Sequence, residues 1–199
     1  MAQSIDGSII SRIYGHRRGW VFTPGSFLDL GSRMAVDQTL GRLAKSGTIR
    51  RLSRGLYDYP ARHPDLGDLP PDYDRIAQAL AGRDSLRIQP SGAYAANLLG
   101  LTEQVPAKIV FLTDGPDRKV RVGKRTIVLK RTTPKNMATA GRISGLVIQA
   151  LRYLKHANVD EMVIAKLKQR LSDDDKRRLM NDIRYAPAWI GNVLRKIQE

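Results

Sequence analysis

The chain has 199 residues, 42% of them hydrophobic, with no cysteine and a formal net charge of +15 from 34 lysines and arginines against 19 acidic residues. That length supports one large domain or two small ones with a self-sufficient core, and the missing cysteine removes disulfide frameworks and thiolate metal sites, as in a protein of the reducing cytoplasm. No apolar run approaches the roughly 18 residues that cross a bilayer, the N-terminus lacks the pattern of a secretory leader, and the charge calls for a polyanionic partner: nucleic acid, anionic membrane or acidic protein.

Ile5, Ile9, Ile10 and Ile13 recur at three-to-four spacing and predict a first helix ending near Gly15. A short extended piece follows at Trp20 to Phe22. Thr23 suits an N-cap and Pro24 a first helical position, so a short second helix is expected to about Leu30. Gly31 breaks it, Ser32 caps a third helix from Arg33 to Ser46, and Gly47 ends that helix. Val36, Leu40 and Leu43 give the third helix an apolar face; Arg33, Asp37, Gln38, Arg42 and Lys45 fall off it. Two strands are expected next, Thr48 to Leu52 and Gly55 to Tyr59, joined near Ser53 and Arg54. Three helices and a hairpin within residues 1–60 have the order of a winged helix-turn-helix.

The stretch from Tyr59 to Tyr73 holds four prolines and little periodicity. It predicts a linker over residues 61–72, and then a mixed α/β C-terminal domain over residues 73–199 that ends in helices. There the expectations are a helix from Asp72 to Leu80, a helix capped by Ser91 and closed near Gly100, and a strand through "KIVFLTDG". They continue with a hairpin turning at Gly123 and Lys124 and an amphipathic helix through Ile143, Leu146, Val147, Ala150, Leu151 and Leu154. Asn158 with Glu161, and Ser172 with Asp175, have capping-box spacing, and Pro187 restarts a final helix. The fold class expected is α+β.

Catalysis needs convergent acids, bases or nucleophiles, and none converge. His16, His63 and His156 fall in a turn, the linker and a helix end, outside any metal-ligand pattern. The acidic run Asp173 to Asp175 behind Ser172 is dipole and cap chemistry. Asp114 and Asp117 flank a turn and lack the twelve-residue loop of a calcium site. No phosphate-binding glycine motif is present. The expectation is a protein with no enzymatic site, metal or cofactor.

The basic residues carry the functional expectation. Arg33, Gln38 and Arg42 on the third helix have the donors and acceptors that read base edges, and Ser32 caps a helix end able to meet phosphate. Arg50, Arg51 and Arg54 lie in the hairpin, where a wing approaches the backbone or minor groove. A second basic face runs through Arg118, Lys119, Arg121, Lys124 and Arg125, continued by Lys130 and Arg131. It suits more DNA, an acidic partner or RNA, or only solvent.

The phrase "GWVFTPGSFLDLGSRMAVDQTLGRLAKSGTIRRLSRGLYDYP" resembles the N-terminal winged helix of AbiEi-type antitoxins of type IV toxin–antitoxin systems. "QPSGAYAANLLGLTEQVPAKIVFLTDG" and "APAWI" look like the subgroup with a shorter C-terminal domain. The resemblance implies a repressor of its own operon that binds double-stranded DNA at promoter repeats, and an antitoxin against a nucleotidyltransferase-like toxin, acting without a stable complex. It makes Arg33, Gln38 and Arg42 recognition-helix positions and Arg50, Arg51 and Arg54 wing positions. The other reading is a protein- or RNA-binding module whose basic C-terminal domain engages an acidic partner.

Overall fold

The computed structural model describes residues 4–82 and 86–199 and is a mixed α+β fold. Its contacts divide the chain into one unit of residues 1–85 with 120–123 and another of residues 86–119 with 124–199.

In the first unit, α1 (Ile5–Gly15) starts at Ser4, whose hydroxyl accepts from the Gly7 N–H at 3.2 Å. Strand β1 (Val21–Phe22) leads into a single 3-10 turn at Pro24–Phe27. A helix reaching Leu30 was expected there. The Leu30 N–H instead bonds the Phe27 carbonyl at 2.9 Å, while Arg12 of α1 takes the Ser26 carbonyl at 2.7 Å and both oxygens of Asp29 at 2.8 and 2.6 Å. The carbonyl an α-helix would have used is thereby given to another element. Helix α2 (Arg33–Lys45) follows from its Ser32 cap, then β2 (Arg50–Ser53) and β3 (Leu56–Asp58). The antiparallel sheet has the order β1-β3-β2, with Val21 and Arg50 both opposite Asp58 and an irregularity between Arg51 and Ser53. Ile9, Ile13, Phe22, Phe27, Val36 and Leu40 form a fully buried cluster under these elements, each worth about 1.5–3 kcal/mol of burial.

The expected linker is structured. Residues 61–72 contain a small hairpin, β4 (Arg62–His63) with β5 (Gly67–Asp68), closed by Leu69 N–H to the Ala61 carbonyl at 2.8 Å. Helix α3 (Tyr73–Ala81), capped by Asp72, packs on β1 and buries Ile76 and Ala77 completely. The division expected at residues 60–72 therefore moves beyond α3. The apolar face of that helix is satisfied by the first unit, which the proline-rich run before it concealed.

The second unit opens with a strand that periodicity did not show, β6 (Ile88–Ser91), followed by α4 (Gly92–Leu98). Ser91 ends this strand and stands at the N-cap position of α4, as expected, but its hydroxyl donates to Gln149 at 3.3 Å instead of capping the helix. Then come β7 (Lys108–Thr113), β8 (Arg118–Val122, whose residues 120–122 belong to the first unit), β9 (Arg125–Arg131) and a short α5 (Pro134–Met137). The sheet order is β6-β7-β9-β8: β6 is antiparallel to β7, and β9 returns parallel to β7 with Ile109 opposite Ile127 and Phe111 opposite Leu129. Helices α6 (Ile143–Leu154), α7 (Glu161–Arg170), α8 (Asp173–Asn181) and α9 (Ala188–Gln198) supply the apolar cluster around Val147, Leu151, Leu167 and Leu194. Asp160, rather than Asn158, caps α7 through the Val163 N–H at 2.9 Å. At α8 the Ser172–Asp175 capping box forms in both directions.

Candidate nucleic-acid interface

Helix α2 presents two kinds of polar surface. Its buried face carries Val36, Leu40 and Leu43. Along its flanks the charged groups are paired. Arg33 donates to Asp37 at 2.9 Å, and Arg42 reaches Asp6 of α1 at 2.8 Å, where Thr39 also donates its hydroxyl. Diametrically opposite the buried face, helical spacing aligns Met34, Gln38, Gly41 and Lys45 in one strip. Met34 is 71% exposed. Gln38 and Lys45 are exposed, and their side chains have no polar partner among the described residues. A shallow hollow of about 370 Å³ is lined by Gln38, Gly41, Arg42 and Lys45. Ser32 is used as the cap, accepting from the Ala35 N–H at 3.3 Å.

The β2–β3 hairpin divides its three arginines. Arg50 turns inward: Nε donates to Asp58 at 3.0 Å, and one terminal nitrogen to Asp58 at 2.6 Å and to the Leu69 carbonyl at 3.0 Å. The Asp58 side chain is only 2% exposed, and its burial pushes the carboxyl above the usual carboxylate range, an effect the Arg50 hydrogen bond opposes. Arg50 was expected to face outward with its neighbours. It is a structural counter-ion instead, because the buried carboxylate directly across the ladder needs one. Arg51 and Arg54 are exposed, with no side-chain partner among the described residues. Gly55, at φ +69°, makes the turn that holds Arg54 at the tip.

The second basic face is divided in the same way. Lys119 and Arg121 point to the exposed side of β8, while Val120 and Val122 are half-buried. Lys124 follows the turn at Gly123. Arg125, expected to join them, donates to the carbonyls of Val105 at 2.8 Å and Pro106 at 3.0 Å and anchors a loop. Arg121 Nε bonds the Gly123 carbonyl at 3.3 Å, and Arg118 also has a partner.

The groups set aside on sequence have structural tasks. His16 stacks on Trp20 with ring centroids 3.9 Å apart, and His63 accepts from the Asp65 N–H at 3.2 Å. Asp114 takes the Arg87 guanidinium at 2.9 Å and its N–H at 3.0 Å, which hold its carboxyl below the usual range. Among the described residues no cluster of three or more His, Cys, Asp or Glu is placed to hold a metal ion, and no helix is long and apolar enough to cross a membrane.

Residues 8–179 match a protein family described as a family of unknown function, DUF6088. The chain belongs to this family. No curated protein matches the DUF6088 chain. A solved structure similar to it is that of the RV2827C protein from Mycobacterium tuberculosis, at 14% identity over 100% of this chain and 77% of the other, with a TM-score of 0.48.

Sequence reasoning placed Gln38 and Lys45 of this DUF6088 protein off the apolar face of α2 but missed Met34 and Gly41. Helical phase alone could have found them: residues 34, 38, 41 and 45 lie half a turn away from Val36, Leu40 and Leu43. Selecting by charge instead drew attention to Arg33 and Arg42, the two residues whose charges are answered within the unit.

Proposed function

We propose that the first unit is a winged helix-turn-helix that binds double-stranded DNA, with α2 in the major groove and the β2–β3 hairpin as the wing along the backbone. The protein acts in the cytoplasm as a sequence-specific transcriptional regulator, a binder and not an enzyme. One observation carries this reading: the outward strip of α2 offers Gln38 and Lys45, and the hairpin that follows offers Arg51 and Arg54, all exposed and without a side-chain partner among the described residues. Gln38 has the donor and acceptor that match adenine N6 and N7. Lys45, Arg51 and Arg54 supply the sequence-independent attraction to phosphates expected of a chain with net charge +15.

The test is fluorescence anisotropy of the full-length protein on the DNA upstream of its own gene across a salt series. Affinity is expected to fall with a slope near −0.9 per phosphate contact. Arg51→Ala and Arg54→Ala should each reduce the slope by about 1, while Gln38→Ala blurs sequence preference. Absence of binding at low salt would overturn the reading.

The resemblance to AbiEi-type antitoxins supports a second part of the proposal: autorepression at promoter repeats, and neutralisation of a nucleotidyltransferase-like toxin without a stable complex. Coexpression with a neighbouring toxin gene tests it. Rescue that survives the Arg51→Ala/Arg54→Ala change assigns neutralisation to groups other than the wing. Rescue lost on Lys119→Ala/Arg121→Ala with DNA binding intact favours the other reading, in which the basic C-terminal part of the chain engages an acidic partner or RNA.

A further inference from the structure

Gly41 stands in the interior of α2, where glycine is the least favourable residue after proline because it gives up the most backbone freedom. A glycine in such a place usually answers a need within the molecule, and the chain shows two such needs elsewhere. At Gly145 in α6 a Cβ would lie 2.3 Å from the Thr139 carbonyl oxygen and 2.5 Å from Gln89 Oε1, so packing excludes a side chain. At Gly55 the backbone has a positive φ that strains other residues. Gly41 has neither reason. Its φ is outside the left-handed region, and a Cβ built on it meets nothing within 4 Å.

The space that Gly41 leaves open is outside the protein. It lies on the strip of Met34, Gln38 and Lys45 and in the hollow bordered by Arg42. With Arg42 held by Asp6, Lys45 is the cation beside this bare stretch of helix backbone; it favours an anionic partner that approaches the helix closely, and Gln38 supplies base-edge chemistry. At the other end of the strip, Met34 is 71% exposed and leaves most of an apolar thioether side chain open.

We infer that Gly41 is the point of closest approach between α2 and a DNA duplex, and that Met34 reads a thymine methyl group on the same face. This rests on the DNA-binding reading above and adds a base preference to it. Gln38 on adenine and Met34 on thymine methyl make the contacted step A·T-containing, with Gly41 allowing the helix to sit deep enough for both to reach.

The experiment starts from duplexes selected from a random-sequence library by the full-length wild-type protein, followed by binding and thermal-unfolding measurements on Gly41→Ala, Gly41→Leu and Met34→Ala. Both Gly41 variants are expected to raise the unfolding midpoint, since each is a better helix former. The added methyl should nevertheless weaken binding about tenfold, as overpacking of a close contact does, and leucine should weaken it further. Met34→Ala should cost about fourfold on thymine-containing duplexes, the scale of one buried methyl group. That cost should vanish when deoxyuridine replaces the thymidine.

A gain in stability together with a loss of affinity supports the assignment. If the wild-type protein selects no duplex and binds none at low salt, the DNA-binding reading falls and this inference with it. If the wild type binds and both Gly41 variants bind equally well, only the close-approach assignment is overturned. A Met34→Ala penalty that is the same on thymidine and deoxyuridine removes the methyl contact alone.

Discussion

The chain contains two basic hairpins, β2–β3 in the first unit and β8–β9, and they spend their cations differently. In β2–β3 the inward arginine, Arg50, answers a buried charge: Asp58 lies across the ladder at 2% exposure and takes two of its hydrogen bonds. In β8–β9 the inward arginine, Arg125, answers neutral carbonyls of a loop, Val105 and Pro106. Among their other cations, Arg51 and Arg54 in one and Lys119 and Lys124 in the other are exposed and have no side-chain partner among the described residues. A run of basic residues is therefore not one surface. What an arginine does depends on whether an acceptor inside the fold claims it first, and on whether that acceptor is charged.

The sharpest way to break this comparison is to remove each inward arginine. Arg50→Ala leaves a carboxylate buried without its counter-ion and should cost about 3 kcal/mol of stability. Urea unfolding measures it, and the Arg50→Met/Asp58→Leu pair, which removes both charges, should recover most of the loss. A cost no larger than that of Arg51→Ala would end the distinction between inward and outward arginines. Arg125→Ala should cost less, about 1 kcal/mol by the same assay, because the two carbonyls it leaves behind are neutral and can turn to water.

The smallest effect is in the pH dependence, where two carboxylates have opposite signs. Burial raises the Asp58 carboxyl, so its contribution is full at low pH and is lost as pH rises through its folded-state value. Hydrogen bonds from Arg87 lower the Asp114 carboxyl, so its contribution is full at neutral pH and is lost on acidification below the usual carboxylate range. Thermal unfolding from neutral to acid pH should fall less steeply in Asp114→Asn than in wild type, and more steeply in Asp58→Asn, which lacks the acid-side gain. Profiles for the two variants that shift in the same direction would refute the opposition.

Most of the first unit could be read from spacing and punctuation. The isoleucines at 5, 9 and 13, the Ser32 cap, the apolar triad of α2 and the turn near Ser53 and Arg54 are local signals, and the elements they predict lie within two residues of those observed. The short helix expected to reach Leu30 did not form because Arg12, remote in sequence, claims the Ser26 carbonyl. The boundary was misplaced because the prolines near 60–71 look like a linker, whereas the burial of Ile76 and Ala77 ties α3 to what precedes it. In the second unit, β6 was hidden within a run that reads as the start of a helix. The parallel pairing of β7 with β9 has no local signature, since hydrophobic strands alternate alike whichever neighbour they take.

The candidate interface divides along the same line. The sequence by itself determined the charge, the phase of α2 and the positions of the hairpin arginines, because all of these follow from residue identity and helical or strand period. Only the tertiary structure decided which of those groups remain available. Asp6 lies 36 residues from Arg42, Asp58 eight from Arg50, and the Val105 carbonyl twenty from Arg125. Folding brings each acceptor to its cation and neutralises or fixes it, a pairing of distant groups that composition and periodicity do not encode. What that pairing leaves over on α2 and the β2–β3 hairpin, among the described residues, is the strip from Met34 to Lys45 and the two outward arginines.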